Sequence, residues 1–364
     1  MTMTEGPILS PDVWRDFCRR LEAAGEIVTG AEAAANPLDR AEGYRYLTRL
    51  LRIAFDMQLE HADPDFPSFY AASHETAKIG ADNPDNIYMN ATVSGARRYR
   101  IRGQRGSVPI LSFGTKANRY AVDGTMASTG EIDSADLAIA PDGSFEIIVS
   151  RDKVDGNWLP LADDSSMVIV RQTFLDRANE VPATVTIEAI DGPAHPAPLS
   201  ADTLAAALER TTAFVAGTAR TFVQWTEDFR ANQRNRLATT DQTPFFRAGG
   251  DPTIFYLHGW WQLEPGEALR IDTRVPACSF WNFQLDNYWM ESLDYRHHRI
   301  HVNGHSARLN DDGTLTLIVA DRDPGFGNWI DTAGHHQGTM LLRWIGADDH
   351  PIPETRIIPI NDRP

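Results

Sequence analysis

A chain of 364 residues, 42% hydrophobic and 23% charged, is long enough for two or three domains and holds enough apolar material for real cores. Its formal net charge of −16 excludes the broad basic surface that nucleic acid or anionic lipid requires, so neither nucleic acid nor membrane is an expected partner. Cys18 and Cys278 make no disulfide framework, the opening residues lack a basic stretch followed by an apolar one, and no apolar run reaches membrane-spanning length; the expectation is a soluble, cytoplasmic protein.

In chain order, Ser10-Pro11-Asp12 predicts a helix start, with Trp14, Phe17, Cys18 and Leu21 following at helical spacing. A second helix is predicted from about Asp39 to Glu60, with Tyr46, Leu47, Leu50, Leu51, Ala54 and Phe55 as its apolar stripe. Asp63-Pro64 and Phe66-Pro67 break it, so residues 1–80 form an N-terminal helical segment. Short β-like runs such as Glu146-Ile147-Ile148-Val149 define a first β-domain over 81–192. Pro193 to Pro198 reads as a linker, and Ser200 caps a linking helix that carries Leu204, Leu208, Phe214, Phe222 and Trp225, within a segment 198–240. Thr239 to Asp251 reads as a long polar loop, 241–350 as a second β-domain, and 351–364, with Pro351, Pro353 and Pro359, as a surface arm.

The strongest signal is an internal repeat. Asp142-Gly143 and Asp312-Gly313 each open a turn into a strand. Gly156-Asn157-Trp158-Leu159 matches Gly327-Asn328-Trp329-Ile330, and the run ending in Arg171 matches the run ending in Arg343. Upstream, Arg100-Ile101 matches Arg270-Ile271, and Tyr88 matches Tyr256. A collinear series of this kind predicts a mainly β protein with flanking helices, an α+β chain of two tandem β-sandwich or jelly-roll-like domains. Asn-Trp then does a structural job, Asn bonding a turn and Trp filling a core, and the repeated Arg is expected to be an ion-pair residue rather than a substrate clamp.

The stretches Phe280-Trp281-Asn282-Phe283-Gln284, Pro324-Gly325-Phe326-Gly327-Asn328-Trp329-Ile330-Asp331-Thr332 and Arg343-Trp344 resemble a bacterial domain-of-unknown-function family with tandem β jelly-roll-like domains. The resemblance covers about residues 245–350 best and implies the fold. The family has no general assigned chemistry and implies no catalytic residues.

Of the eleven histidines, His258, His297, His298, His301, His305, His335, His336 and His350 lie in the second copy. Read as a strand, Tyr295 to Asn303 would place Tyr295, His297, Arg299, His301 and Asn303 on one face. Beside it, Asn282, Gln284, Asp286 and Tyr288 alternate with Trp281, Phe283, Leu285 and Asn287. Two such strands would line a cleft in the second domain, with His297 and His301 as proton carriers and Arg299 and Tyr295 as oxyanion or hydroxyl partners. Trp281, Trp289, Trp260, Asn282 and Gln284 would bind the substrate. Adjacent Trp260 and Trp261 cannot both face one core, so one of them must cover a helix, the other copy or a ligand.

A metal site from His297, His301 and His335 or Asp286 would need a turn or bulge, because His-x₃-His on a strand spans about 13 Å. No metal and no organic cofactor is expected, and no dinucleotide, NTP or serine-hydrolase motif is present. These residues point to a lyase, isomerase or hydrolase acting on a bulky neutral substrate, hydroxylated and hydrophobic or sugar-like. A non-catalytic carbohydrate or lipophilic-metabolite binding module, and a homo-oligomer built on an exposed aromatic patch, are the readings from other classes. The basic run Arg97, Arg98, Arg100 and Arg102 is expected to pair with nearby acids.

Overall fold

The computed structural model describes residues 8–238 and 241–361; the readings for residues 1–7, for Thr239 and Thr240, and for 362–364 lie outside the described residues. The chain begins with two helices, α1 (Pro11–Gly30) and α2 (Pro37–Phe55), the latter running on into a π-helical turn at Asp56–Glu60. Ser10 and Asn36 cap them by accepting backbone N–H groups that the first turn leaves free. Only part of the α1 stripe is used: Phe17 is buried, while Trp14 and Cys18 face solvent.

Eight strands follow: β1 (Asn86–Thr92), β2 (Tyr99–Gln104), β3 (Ile110–Arg119), β4 (Thr125–Asp133), β5 (Ser144–Ser150), β6 (Trp158–Pro160), β7 (Met167–Thr173) and β8 (Thr184–Ala189). The long α3 (Ala201–Asn232), capped by Ser200, leads through β9 (Arg236–Ala238) and the short α4 (Thr243–Arg247) to the second set. That set is β10 (Ile254–Gln262), β11 (Glu267–Arg274), β12 (Phe280–Leu285), β13 (His301–Asn303), β14 (Thr314–Ala320), β15 (Asn328–Asp331), β16 (Gln337–Ile345) and β17 (Glu354–Pro359).

The repeat is complete at the level of topology. The first domain has sheets β1-β7-β3-β4 and β6-β5-β2-β8; the second has β10-β16-β12-β13 and β15-β14-β11-β17, the same order with each strand replaced by its counterpart. Even the parallel pair recurs, β5 with β6 and β14 with β15. In each domain the two sheets enclose one core, built around Ile101, Phe113, Ile147 and Val170 in the first and Leu257, Ile271, Phe283 and Leu342 in the second.

Asn157 donates to Ala138 O and Glu146 O, Asn328 to Arg308 O and Thr316 O, and both indoles donate to a strand carbonyl. The Asn-Trp pair is thus a turn lock, as its sequence pattern predicts. Arg97, Arg98, Arg100 and Arg102 pair with Asp65, Asp191, Glu146 and Glu188.

Two local expectations are corrected. Residues 354–359 are not a loose arm: β17 pairs antiparallel with β11 from Glu354↔Asp272 to Pro359↔Glu267, because the exposed edge of β11 offers unpaired backbone groups, as β2 does to β8. Tyr295 to Asn303 is not one strand. Residues 295–298 form a turn, held by Asp294 accepting the Arg296 N–H and guanidinium, and only His301–Asn303 pairs with β12.

The helices cover the outer faces of sheets β1-β7-β3-β4 and β10-β16-β12-β13, creating a third core that holds Tyr46, Leu50, Phe222 and Phe229 together with Trp260, Tyr288 and Trp289. The inner strands of these sheets, β7, β12 and β16 above all, are therefore buried on both faces, and alternation sorts their side chains. Trp261 points into the second sandwich and Trp260 into the helical core, which resolves how neighbouring tryptophans are both fully buried.

Candidate functional site

The same alternation builds a cavity. In β7, Val168 and Val170 enter the first sandwich, so Met167, Ile169 and Arg171 face outward; in β16, Leu342 and Trp344 enter the second sandwich, so Leu341 and Arg343 face outward. Register then sets the neighbours. Tyr88 lies opposite Arg171 and Asn90 opposite Ile169, while Tyr256 lies opposite Arg343 and His258 opposite Leu341. All eight line one cavity of about 160 Å³ between the two domains, closed on its third side by Phe214, Phe222 and Trp225 of α3 and by Phe245 of α4.

The two arginines are exchanged between domains. Arg171 of the first donates to Gly249 O, in the loop before the second domain's first strand, at 2.8 Å; Arg343 of the second donates to Ala81 O, in the loop before β1, at 2.6 Å. The loops themselves are equivalent: the N–H of Asn83 donates to Tyr88 Oη at 3.0 Å, and that of Asp251 to Tyr256 Oη at 2.8 Å. Ala81 and Gly249 both sit at positive φ, 56° and 100°, which aims their carbonyls back at the guanidinium groups.

Charge at this polar end is incompletely balanced. Arg171 Nη1 lies 3.7 Å from Asp251 Oδ2, too long for a hydrogen bond, and Nη1 is buried with no hydrogen-bond partner. Arg343 directs its three hydrogen bonds to uncharged carbonyl oxygens: Ala81 O, Gln284 Oε1 at 2.5 Å and Asn282 Oδ1 at 3.3 Å. Among the described residues, neither guanidinium is hydrogen-bonded to a carboxylate. Burial and the charge of Arg343 drive His258 down to about 3, so its imidazole is neutral; Phe229 stacks on it at 4.9 Å and its Nδ1 has no partner. Burial pushes the Tyr256 phenol well up, leaving it protonated.

The residues singled out in the sequence lie elsewhere. His297 and Arg299 are exposed, Arg299 donating to Ser306 O. His301 Nε2 approaches Asp85 Oδ1 at 3.3 Å, and Tyr295 lies under the Lys78 ammonium, 4.7 Å from its ring centre. Trp281 belongs to the second sandwich core, and Trp260 and Trp289 to the helical core. Asn282 and Gln284 come nearest to the cavity: they are fully buried, support Arg343, and bond the first domain through Asn83, Asp85 and Asp82.

The remaining second-domain histidines are also tied to separate partners: His298 to Asp331, His305 to Asp176, and buried His335 to Glu42 at 2.8 Å. No group of three or more His, Cys, Asp or Glu among the described residues is arranged to hold a metal. Tyr88, Tyr256, Arg171 and Arg343, which line the cavity, are all repeat matches, and that shared position is the signal in the sequence that points to it.

In comparisons with known proteins, the domain described as a protein of unknown function (DUF1214) matches over residues 88–173 and again over 264–349. None of the functionally curated proteins matches. Among solved structures, an uncharacterised protein from Burkholderia cenocepacia is 50% identical and superposes with a TM-score of 0.94, covering 96% of this chain and 97% of that one. A Vibrio parahaemolyticus protein gives a TM-score of 0.49 at 11% identity, over 87% of this chain and 98% of its own. Two collinear matches to one domain, the first running from Tyr88 past Arg171 and the second containing Arg343, mean that the chain belongs to the DUF1214 family of proteins of unknown function.

Proposed function

We propose that this protein binds a small organic anion in the cavity between its two β-domains. One observation carries the reading: two buried guanidinium groups from equivalent positions line a single cavity, and neither is hydrogen-bonded to a carboxylate. A buried, incompletely paired charge is costly, and an anionic ligand would recover that free energy. Arg171 has Asp251 beside it, and Asp82, which also lines the cavity, keeps its charge while accepting from Ser292 N–H and Oγ, so the ligand is limited to a single negative charge. The volume, close to that of a cavity able to hold benzene at about 150 Å³, limits the ligand to one ring-sized body, smaller than the bulky substrate expected from the sequence.

Acid/base catalysis on the bound molecule is a second reading, favoured by Asp286. Burial raises its carboxyl to about 7, and Gln284 links it to Arg343 through bonds of 2.5 Å on each side. A carboxyl titrating near neutrality suits proton transfer. The reading fits a cytoplasmic setting, in which Cys18 and Cys278 stay free thiols. No helix among the described residues is long and apolar enough to cross a membrane.

The test is calorimetric titration of the purified chain with small carboxylates and their neutral alcohol counterparts. Binding of carboxylates only, abolished in Arg343→Met and unchanged in His297→Gln, is the expected result. Equal binding of the neutral compounds would overturn it. A bell-shaped pH–rate profile on any compound turned over would favour the catalytic reading.

A further inference from the structure

The two halves of the cavity share their backbone and their Tyr–Arg pairs but differ in the positions between. On β1 the outward residues are Asn86, Tyr88 and Asn90; on β10 the equivalent residues, each 168 positions later, are Ile254, Tyr256 and His258. At these positions the first domain offers two amides, beside Met167 and Ile169 of β7, and the second an isoleucine and a neutral imidazole. The second domain's side continues into aromatic rings: Phe222 meets Trp225 at 75° and 5.8 Å, and Trp225 meets Phe245 at 64° and 5.4 Å. These rings are already in part engaged, His258 lying against Trp225 and Phe245 and Tyr120 against Phe222, and the parts of them that still line the cavity would meet a further flat ring at the tilted or edge-on angles that aromatic pairs prefer.

Resting on the organic-anion reading above, we infer that the ligand is an aromatic carboxylate, its ring in the Phe222–Trp225–Phe245 corner and its carboxylate between Arg171 and Arg343. The orientation follows from the placement of charge. The arginines lie on the seam between the domains, opposite both tyrosines, whereas the aromatic corner lies to one side, on α3 and α4. A ligand with its charge on the seam must lay its body either against the amides or against the rings. Asn90 Nδ2 is held by Met167 Sδ, but Asn86 Oδ1 is buried without a hydrogen-bond partner and an apolar ring laid against it would leave it so, which disfavours that pose. Met57 and Met126 complete the apolar side, and their flexible thioethers would adapt to ring substituents.

The experiment uses the full chain and four probes: benzoate, cyclohexanecarboxylate, acetate and benzyl alcohol, titrated by calorimetry with Trp225 fluorescence as a second readout in a Trp225→Phe control. Benzoate should bind at least tenfold more tightly than each of the other three and should alter the fluorescence component lost in Trp225→Phe. Equal affinity for acetate or cyclohexanecarboxylate would overturn the aromatic inference while leaving the organic-anion reading standing. Equal affinity for benzyl alcohol, or no binding of any carboxylate, would overturn both.

Discussion

The two β-domains have the same strand order, the same turn locks and the same outward arginine, yet they use one stretch in opposite ways. In the first, β3 runs on to Arg119 and returns as the nine-residue β4, a partly exposed hairpin. In the second, β12 stops at Leu285, and the chain leaves the sheet to plug the helical layer. Trp289 donates to Asp39 O, Asn287 to Glu42, Arg49 pairs with Glu291, and Thr226 of α3 donates to Tyr288 O. At the point of divergence, Lys116 of the first domain, buried and paired with Glu131, stands where the second has buried Asp286. Duplication preserved the sheets and the cavity. The segment that is a hairpin in the first copy is the anchor for the helices in the second, which accounts for Tyr288 and Trp289 there.

The largest effect should come from the anchor. Trp289→Ala removes a fully buried indole from the helical core and should lower unfolding stability by about 3–5 kcal/mol, read from denaturant melts. A loss below about 1 kcal/mol would mean that the helices are held mainly elsewhere.

The reciprocal arginines come next. Arg343→Met leaves Ala81 O, Gln284 and Asn282 without a donor, and Arg171→Met strips Gly249 O and leaves Asp251 without its cation; each should cost about 2–4 kcal/mol. A cost confined to one of the two would break the symmetry between the domains.

The smallest effect is a pH dependence set by a contact that only the second domain makes. Burial disfavours the charged His335, but the hydrogen bond and charge of Glu42 outweigh it and raise the imidazole above 6.5. Burial likewise opposes ionisation of Glu42, but His335, Arg45 and Asn287 hold its carboxyl below 4.5. The contribution of His335 is therefore complete below about 6.5 and lost as pH rises through its folded-state value. That of Glu42 is present above about 4.5 and lost as pH falls. Urea midpoints should be highest between these limits and decline toward pH 8.5, and His335→Gln should flatten the alkaline decline. An unchanged slope in the variant would assign it to other groups.

Much of the fold was legible before any coordinates. Ser10, Asn157, Trp158 and the Asp-Gly turns act locally, and their roles follow from residue type and spacing. The histidine run misled for a physical reason. A period of two predicts a strand only where neighbours supply hydrogen bonds, and here Asp294 satisfies the backbone instead, its carboxylate accepting the Arg296 N–H and its carbonyl those of His297 and His298.

By itself the sequence determined the duplication, the three long helices and the two β-rich stretches between and after them, and the identity of the matched pairs Tyr88/Tyr256 and Arg171/Arg343. Only the tertiary structure decided that these pairs meet. The side of a strand that faces a second core, rather than solvent, depends on what packs against the sheet. The choice of Gly249 as partner for Arg171, and of Ala81 for Arg343, depends on how the domains are set against each other. Both are consequences of long-range packing, which the period of a strand does not encode.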